Sequence, residues 1–353
     1  LPDNDTLPDN AESGLLILDR ATVQRCAASF DPLAAVEVLL KEHASDATTL
    51  PAESYMEWHN RVGAHCRSIA MPGGVPGDGA STYGVKIINA AVSNPAMGLD
   101  RAGGVTLLFD PETARPRVIA DAGYLSALRT ATYTLVSLRH LGPSSFDSVS
   151  LIGCGTLAKE HLRLFTRYQP EVSRVYLYDL DPDRSRALSD WIARHFARLT
   201  VTVCDTARQA AGASPVLITL TTSRRPYIEP DWLPSGSFVA HVSLDDVTEE
   251  VFLRAEAIFA DDIGLITENP RRILGRLMAE GKISQPGNSA DGARQITGTL
   301  GDVLLGRRES VRPHHGVVVS NPFGMSILDI GLLAKVARMA EAERLGQRIN
   351  IDN

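Results

Sequence analysis

Ser148-Val149-Ser150-Leu151-Ile152-Gly153-Cys154-Gly155-Thr156-Leu157-Ala158 is the stretch on which the reading of this chain turns. An apolar run opens into two glycines one residue apart, and a small residue follows the second glycine by three positions. This is G-x-G-x-x-A between a strand and a helix. The first glycine permits a tight turn, the second lets the backbone approach a pyrophosphate, and Ala158 lets the helix pack close to the sheet. The helix start also offers unpaired N–H groups and a positive dipole end to phosphate. Gly153, Gly155, Thr156 and Leu157 are therefore the expected phosphate cradle. A strand–helix turn that binds nothing would use the same glycines, so the context decides. The next apolar run, Val175–Tyr178, ends in Asp179, 24 residues after Gly155. An acid at that place accepts hydrogen bonds from the adenosine ribose and repels a 2′-phosphate, which favours NAD over NADP. Arg184 and Arg186 lie close by and pull weakly the other way. Cys154 reads as a small filler in the turn.

Working outward, strand-like and helix-like segments alternate from Gly142-Pro143 onward. The apolar runs are 149–152, 175–178, 201–204, 216–219, 238–241 and 257–260. Alternation on this scale predicts a parallel sheet with crossover helices. Thr221 and Thr222 follow the run 216–219, and Asp245 and Asp246 follow 238–241. Loops at the carboxyl ends of such strands face the cofactor cleft. The two threonines are either contacts to the nicotinamide half or ordinary turn residues, and the two aspartates are either cleft groups or solvated caps.

Upstream the pattern differs. A strand is expected over 14–18, with helices over 20–29 and 32–45 capped by Asp19 and Asp31. Further strands are expected at 84–88, 104–109 and 118–120, with a hairpin turn at Asp110-Pro111-Glu112-Thr113. Residues 124–141 have helical spacing. The chain ends with a strand at 317–320 and a helix over 324–345. The fold class is thus α/β: a first domain over 1–143, a Rossmann domain over 144–319, and a segment 320–353 that returns to the first domain and makes it discontinuous.

Composition narrows the function. A chain of 353 residues suits two domains. A net charge of −7 argues against a broad nucleic-acid or anionic-membrane surface. No apolar run approaches the roughly 18 residues that a membrane span needs. Cys26, Cys66, Cys154 and Cys204 stand apart with no C-x-x-C pair, which fits reduced thiols better than a disulfide framework or a zinc site. The first dozen residues are polar and acidic, expected to be loose, and carry no export signal. A cytoplasmic protein is expected. His314-His315 lacks a third ligand, so no metal is expected.

Two cations stand in unusual surroundings. Lys86 lies on an apolar strand, either as a buried amine suited to proton transfer or as a lysine on a wet face. Arg129 sits in the apolar helix start Ser126-Ala127-Leu128-Arg129-Thr130-Ala131, where a guanidinium opposes the helix dipole. It calls for an anion, either a substrate carboxylate or an internal acid.

Gly84-Val85-Lys86, Asn94-Pro95, the stretch Asp110–Pro116, Ala127–Ala131 and Ile152–Gly155, in this order, resemble the ornithine cyclodeaminase/μ-crystallin family. The resemblance covers essentially the whole chain after residue 14. It implies a two-domain fold, NAD, and a homodimer formed through the non-Rossmann domain. That domain would then bind substrate as well as dimerise. The resemblance also places the substrate-carboxylate clamp at Arg129 and the catalytic lysine at Lys86. As a base Lys86 must be neutral, and a neighbouring arginine is expected to help. Arg101-Ala102, the stretch 226–233, Asp246-Val247, and Asn321–Met325 with Asp329-Ile330 look most like a branch that oxidises a secondary amine joining two amino-acid skeletons. A small amino-acid-like substrate is implied. Imine reduction, amino-acid dehydrogenation, cyclodeamination and non-catalytic nucleotide binding of the μ-crystallin kind stay open.

Three positions depart from the family pattern. Ala114 stands for the usual glycine after Asp-x-x-Thr. Leu244 stands where ornithine cyclodeaminases carry a catalytic aspartate, which leaves Asp246 as the nearby catalytic candidate. Glu53 stands where a basic residue often meets the substrate carboxylate, and Arg67 and Arg101 are its nearest basic substitutes.

Overall fold

Two sheets organise the chain, one in each of two units. The computed structural model describes residues 14–77, 79–288 and 292–351, so the polar start expected to be loose lies outside the described residues.

The first unit comprises residues 1–30, 53–125 and 329–353. Its strands are β1 (Leu15–Leu18), β2 (Ser54–His59), β3 (His65–Val75), β4 (Thr82–Ala91), β5 (Ala102–Phe109), β6 (Pro116–Asp121) and a C-terminal strand, Gln347–Ile349. They lie in the order C-terminal strand, β1, β6, β5, β4, β3, β2. β1 and β6 are parallel and the remaining neighbours antiparallel. One sheet face buries Leu16, Leu18, Leu108, Val118 and Ala120. Asp19 caps the helix Arg20–Ala27 by accepting the Thr22 N–H at 2.8 Å, as its place before the helix predicts. In the β5–β6 turn, Asp110 accepts both the N–H and the hydroxyl of Thr113 at 2.8 Å. Ala114 closes that turn with φ +58, a left-handed conformation that explains why a glycine is usual there.

The second unit comprises residues 31–52 and 126–328. Its strands are β7 (Ser148–Ile152), β8 (Arg174–Tyr178), β9 (Thr200–Val203), β10 (Val216–Thr219), β11 (Ser237–His241) and β12 (Ala257–Ala260). A small separate pair follows, β13 (Ile283–Ser284) with β14 (Arg294–Gln295), and then β15 (Gly298–Thr299) and β16 (Val317–Asn321). The large sheet runs β15-β12-β16-β11-β10-β7-β8-β9 with every neighbouring pair parallel. Strand order reverses between β7 and β10. In a doubly wound sheet that is the crevice where a dinucleotide lies, at the carboxyl ends of the strands.

The units divide the chain differently from the sequence expectation of 1–143, 144–319 and 320–353. Residues 31–52 and 126–143 go with the parallel sheet, and the return to the first unit comes at 329, inside the helix Ser326–Ala342. Packing explains the difference. The helix Leu300–Leu304 approaches the helix Pro32–Ala44 so closely that a Cβ on Gly301 would lie 2.6 Å from the Leu40 carbonyl oxygen. His43 Nε2 meets Asp262 Oδ2 at 3.0 Å. Arg312 donates to the carbonyls of Arg139 at 2.6 Å and Gly142 at 2.7 Å, which ties the end of the helix Ala122–Leu141 to this unit.

Candidate active site

In the second unit the β7 turn follows the logic of its sequence. Gly153 has φ +101, its N–H donates to the Tyr178 carbonyl at 2.8 Å, and a Cβ there would come within 2.6 Å of the Leu220 backbone. Gly155 caps the helix Thr156–Tyr168, and a Cβ on it would meet nothing within 4 Å. The first glycine is thus required by the fold, while the second faces open space of the kind a pyrophosphate needs. Ala158 is fully buried, as close helix packing demands.

Asp179 is tied to the same turn. Its Oδ2 accepts the Cys154 N–H at 2.8 Å and its Oδ1 the Asp181 N–H at 3.0 Å. These bonds fix the carboxylate at the end of β8, where the adenosine ribose is expected. Arg184 pairs with Asp181 at 3.5 Å and Arg186 with Asp183. Both arginines are therefore engaged by acids of their own helix start, which weakens their case as holders of a 2′-phosphate. Burial pushes the Cys154 thiol up to about 12, so it is a filler and not a nucleophile.

Beyond β10 and β11 a dense polar knot forms. Asp246 is fully buried. Its Oδ1 accepts the hydroxyls of Thr221 at 2.5 Å and Tyr227 at 2.8 Å, and its Oδ2 accepts that of Ser243. With both oxygens engaged, Asp246 is suited to holding the loop more than to carrying protons. Burial, followed by the Asp246 charge, pushes the Tyr227 phenol well up, which keeps it a donor. His241 Nε2 accepts the Asp246 N–H at 3.0 Å, so its proton sits on Nδ1 and goes to Asn321 Oδ1 at 2.7 Å. Burial lowers this imidazole, in keeping with the neutral form. Leu244 takes φ +73 within the same loop. Thr222, next in the chain, is exposed.

Arg129, also in this unit, lies against the backbone of Gly324. A Cβ on Gly324 would fall 2.7 Å from Arg129 Nη1 and 3.0 Å from Nη2, and Gly324 itself has φ +99.

In the first unit Lys86 is 1% exposed, which decides between a buried amine and a wet one. Its Nζ donates to Asp329 Oδ2 at 2.7 Å, and Asp329 is fully buried. A carboxylate is thus one partner of the amine, and the two groups form a buried salt bridge. Level with Lys86 on β5 is Thr106, whose fully buried hydroxyl finds no hydrogen-bond partner among the described residues. Arg67 lies on β3 four residues before Met71, the cross-strand neighbour of Lys86, so the strand period puts both cations on one face. Arg67 lines a groove of about 640 Å³ with Trp58, Asn89 and Asp100. Arg101 is not among the groove residues, and its carbonyl accepts the Ala91 N–H at 3.0 Å. Glu53 accepts the Tyr55 hydroxyl.

Sequence reasoning missed Asp329 as a partner of Lys86, although a lone acid in the apolar run Ile327–Ala334 is a signal that could have found it. It also did not single out Tyr227 and His241, which bond to the Asp246 side chain and backbone. His314 and His315 pack ring edge to ring face, and among the described residues no cluster of three or more His, Cys, Asp or Glu could hold a metal.

Comparison with known proteins gives a family match over residues 17–343, to the ornithine cyclodeaminase/mu-crystallin family. The chain is 28% identical over 341 residues to N-((2S)-2-amino-2-carboxyethyl)-L-glutamate dehydrogenase of Staphylococcus aureus (strain NCTC 8325 / PS 47), covering 96% of this chain and 98% of that protein. The crystal structure of CmnK is similar with a TM-score of 0.89 and 53% identity, covering 96% of this chain and 99% of that one. An archaeal alanine dehydrogenase dimer with bound NAD shares the fold with a TM-score of 0.80 at 22% identity, covering 96% of this chain and 100% of that one.

Proposed function

The chain belongs to the ornithine cyclodeaminase/mu-crystallin family, and from that premise we propose that it oxidises N-(2-amino-2-carboxyethyl)-L-glutamate to 2-oxoglutarate and L-2,3-diaminopropionate. At the coarser level it is an NAD-dependent oxidoreductase acting on a CH–NH bond. Oxidation of the secondary amine at Cα gives an imine, which water splits into the 2-oxo acid and the free amine. NAD⁺, when bound, supplies the acceptor for the hydride. Gly153, Gly155, Thr156 and Leu157 would hold its pyrophosphate, Asp179 its ribose, and Thr221 and Thr222 its nicotinamide side.

The observation that carries the chemistry is the buried Lys86–Asp329 pair. Taking two charges out of water costs several kcal/mol per ion, and a fold gains little stability from such a pair. Its place on an apolar strand fits an ammonium that gives a proton to the substrate nitrogen as the carbinolamine collapses. Arg129 would hold the carboxylate on the carbon being oxidised, and a forked guanidinium suits that geometry. Arg67 would meet a second carboxylate, and Arg101 is a weaker candidate for the same task. Asp246 would act by holding Thr221 and Tyr227. The leucine at 244 counts against ornithine cyclisation. Diaminopropionate would serve a siderophore or a peptide antibiotic, made in the cytoplasm. Relatives of this fold that reduce imines or oxidise alanine mark the other reactions to test.

The test is mass spectrometry of products after incubation with NAD⁺ and N-(2-amino-2-carboxyethyl)-L-glutamate. Formation of 2-oxoglutarate with NADH is expected, and its loss in Lys86→Ala with NAD binding retained. Turnover of alanine or a cyclic imino acid, with no 2-oxoglutarate from the secondary amine, overturns the assignment.

A further inference from the structure

We propose that Asp261 and Gly324 are positioning residues for Arg129: a buried carboxylate pins the backbone of residues 323–324, and the bare Cα of Gly324 gives the guanidinium its seat. The inference rests on the reading of Arg129 as the substrate-carboxylate clamp.

Asp261 is 2% exposed and follows directly on β12. Its Oδ1 accepts the N–H of Phe323 at 2.9 Å and of Asp262 at 3.0 Å, and its Oδ2 accepts that of Gly324 at 2.6 Å. Three backbone donors converge on one carboxylate, and two of them belong to the loop that follows β16. That loop takes a left-handed turn at Gly324, where a side chain would enter the space held by Arg129 Nη1 and Nη2. A guanidinium seated against a bare Cα presents its planar fork in one orientation, which is what bidentate recognition needs. The arrangement therefore runs from carboxylate to loop backbone to guanidinium, all within the second unit.

The same geometry gives the clamp a dependence on pH. An ionised Asp261 can accept from all three donors, whereas a protonated one turns an O–H toward an N–H and loses at least one bond. Burial raises this carboxyl to about 6 against the pull of the Phe323 and Gly324 N–H groups. The titratable groups facing it are Tyr133 of the helix Ala122–Leu141, whose phenol is pushed well up by burial and by the Asp261 charge, and the adjacent Asp262, which His43 engages. Neither ionises between pH 5 and 8 in a way that would mask Asp261: Tyr133 stays a neutral phenol, and the Asp262 carboxyl is lowered despite burial, chiefly by the hydrogen bond from His43.

The experiment measures kcat and KM for the secondary amine, and NADH affinity by fluorescence titration, from about pH 5 to about pH 8. It compares the full-length wild type with Asp261→Asn, Gly324→Ala and Arg129→Ala. In the wild type, KM is expected to rise as pH falls through about 6, with NADH affinity unchanged. Asp261→Asn is expected to show a KM about tenfold higher at every pH, with the acid limb gone. Gly324→Ala is expected to raise KM by about tenfold or more while kcat falls less. It removes no hydrogen bond, so it carries the test if Asp261→Asn does not fold. Wild-type KM in Gly324→Ala, or an intact acid limb in Asp261→Asn, alongside a raised KM in Arg129→Ala, overturns this inference alone. An unchanged KM in Arg129→Ala overturns the clamp reading, and this inference with it.

Discussion

Lys86 and Asp329 come from positions 243 residues apart and meet at 2.7 Å with almost no exposure. Removing one partner of a buried pair leaves the other charge without compensation, which typically costs about 3–5 kcal/mol. Asp329→Asn is therefore expected to lower unfolding free energy by about that much in urea titration. Lys86→Met with Asp329→Leu removes both charges and is expected to stay within about 1–2 kcal/mol of the wild type, or to exceed it. If Asp329→Asn alone were as stable as the wild type, the two groups would not be an ion pair. How much of the site is visible in sequence depends on the residue. Lys86, Arg129 and Asp179 announce themselves, because each is a charge where apolar periodicity or a turn motif makes a charge conspicuous. Asp261 does not. In Ala260-Asp261-Asp262 nothing distinguishes the acid that turns inward from the one that caps the helix Ile263–Glu268, since only the loop at 323–324, supplied by a distant segment, makes the choice.

At the scale of elements, the turn from Asp110 to Arg115 shows how a local rule can be read and still be broken. Asp110 takes the hydrogen bonds that such a turn residue is expected to take, and its carboxyl is held low by the Thr113 side-chain and backbone bonds. Ala114 nevertheless adopts φ +58. The left-handed region costs a residue with a Cβ roughly 1–2 kcal/mol, part of which a glycine returns through its greater freedom when unfolded. Ala114→Gly is expected to stabilise the protein by up to about 1 kcal/mol, seen as a higher urea midpoint with unchanged slope. A lower midpoint would mean that the turn is unstrained. The strands of the parallel sheet are legible because each is a short, wholly apolar run between turn signals, as in Val216–Thr219. β2 is not, because all six of its residues are exposed and it has no buried face to impose a period on the sequence. Nor is β15, two residues long, which exists only because β12 offers it an edge.

At the scale of the whole molecule, β2 is the outer strand of the first unit's sheet, paired only with β3 among the described residues. Its exposed side chains include Met56 at 61% and Trp58 at 43%. An edge strand that leaves large apolar side chains in water invites pairing with another chain. The homodimer implied by the sequence resemblance is therefore expected to use this edge. Sedimentation should give the mass of two chains, and Met56→Glu with Trp58→Lys should give one chain that still binds NAD. A wild type that sediments as one chain at micromolar concentration sinks the expectation. The placement of residues 31–52 has a different consequence, in the order of synthesis. The second unit is complete once residue 328 is made, because its early helix already waits upstream. The first unit begins earlier and finishes later: β1 has no partner on its outer side until Gln347–Ile349 arrives to pair with Leu15, Leu16 and Ile17. The ribosome thus delivers the unit with the parallel sheet whole while the unit that precedes it is still missing a strand, so the domain begun first is the last that can close.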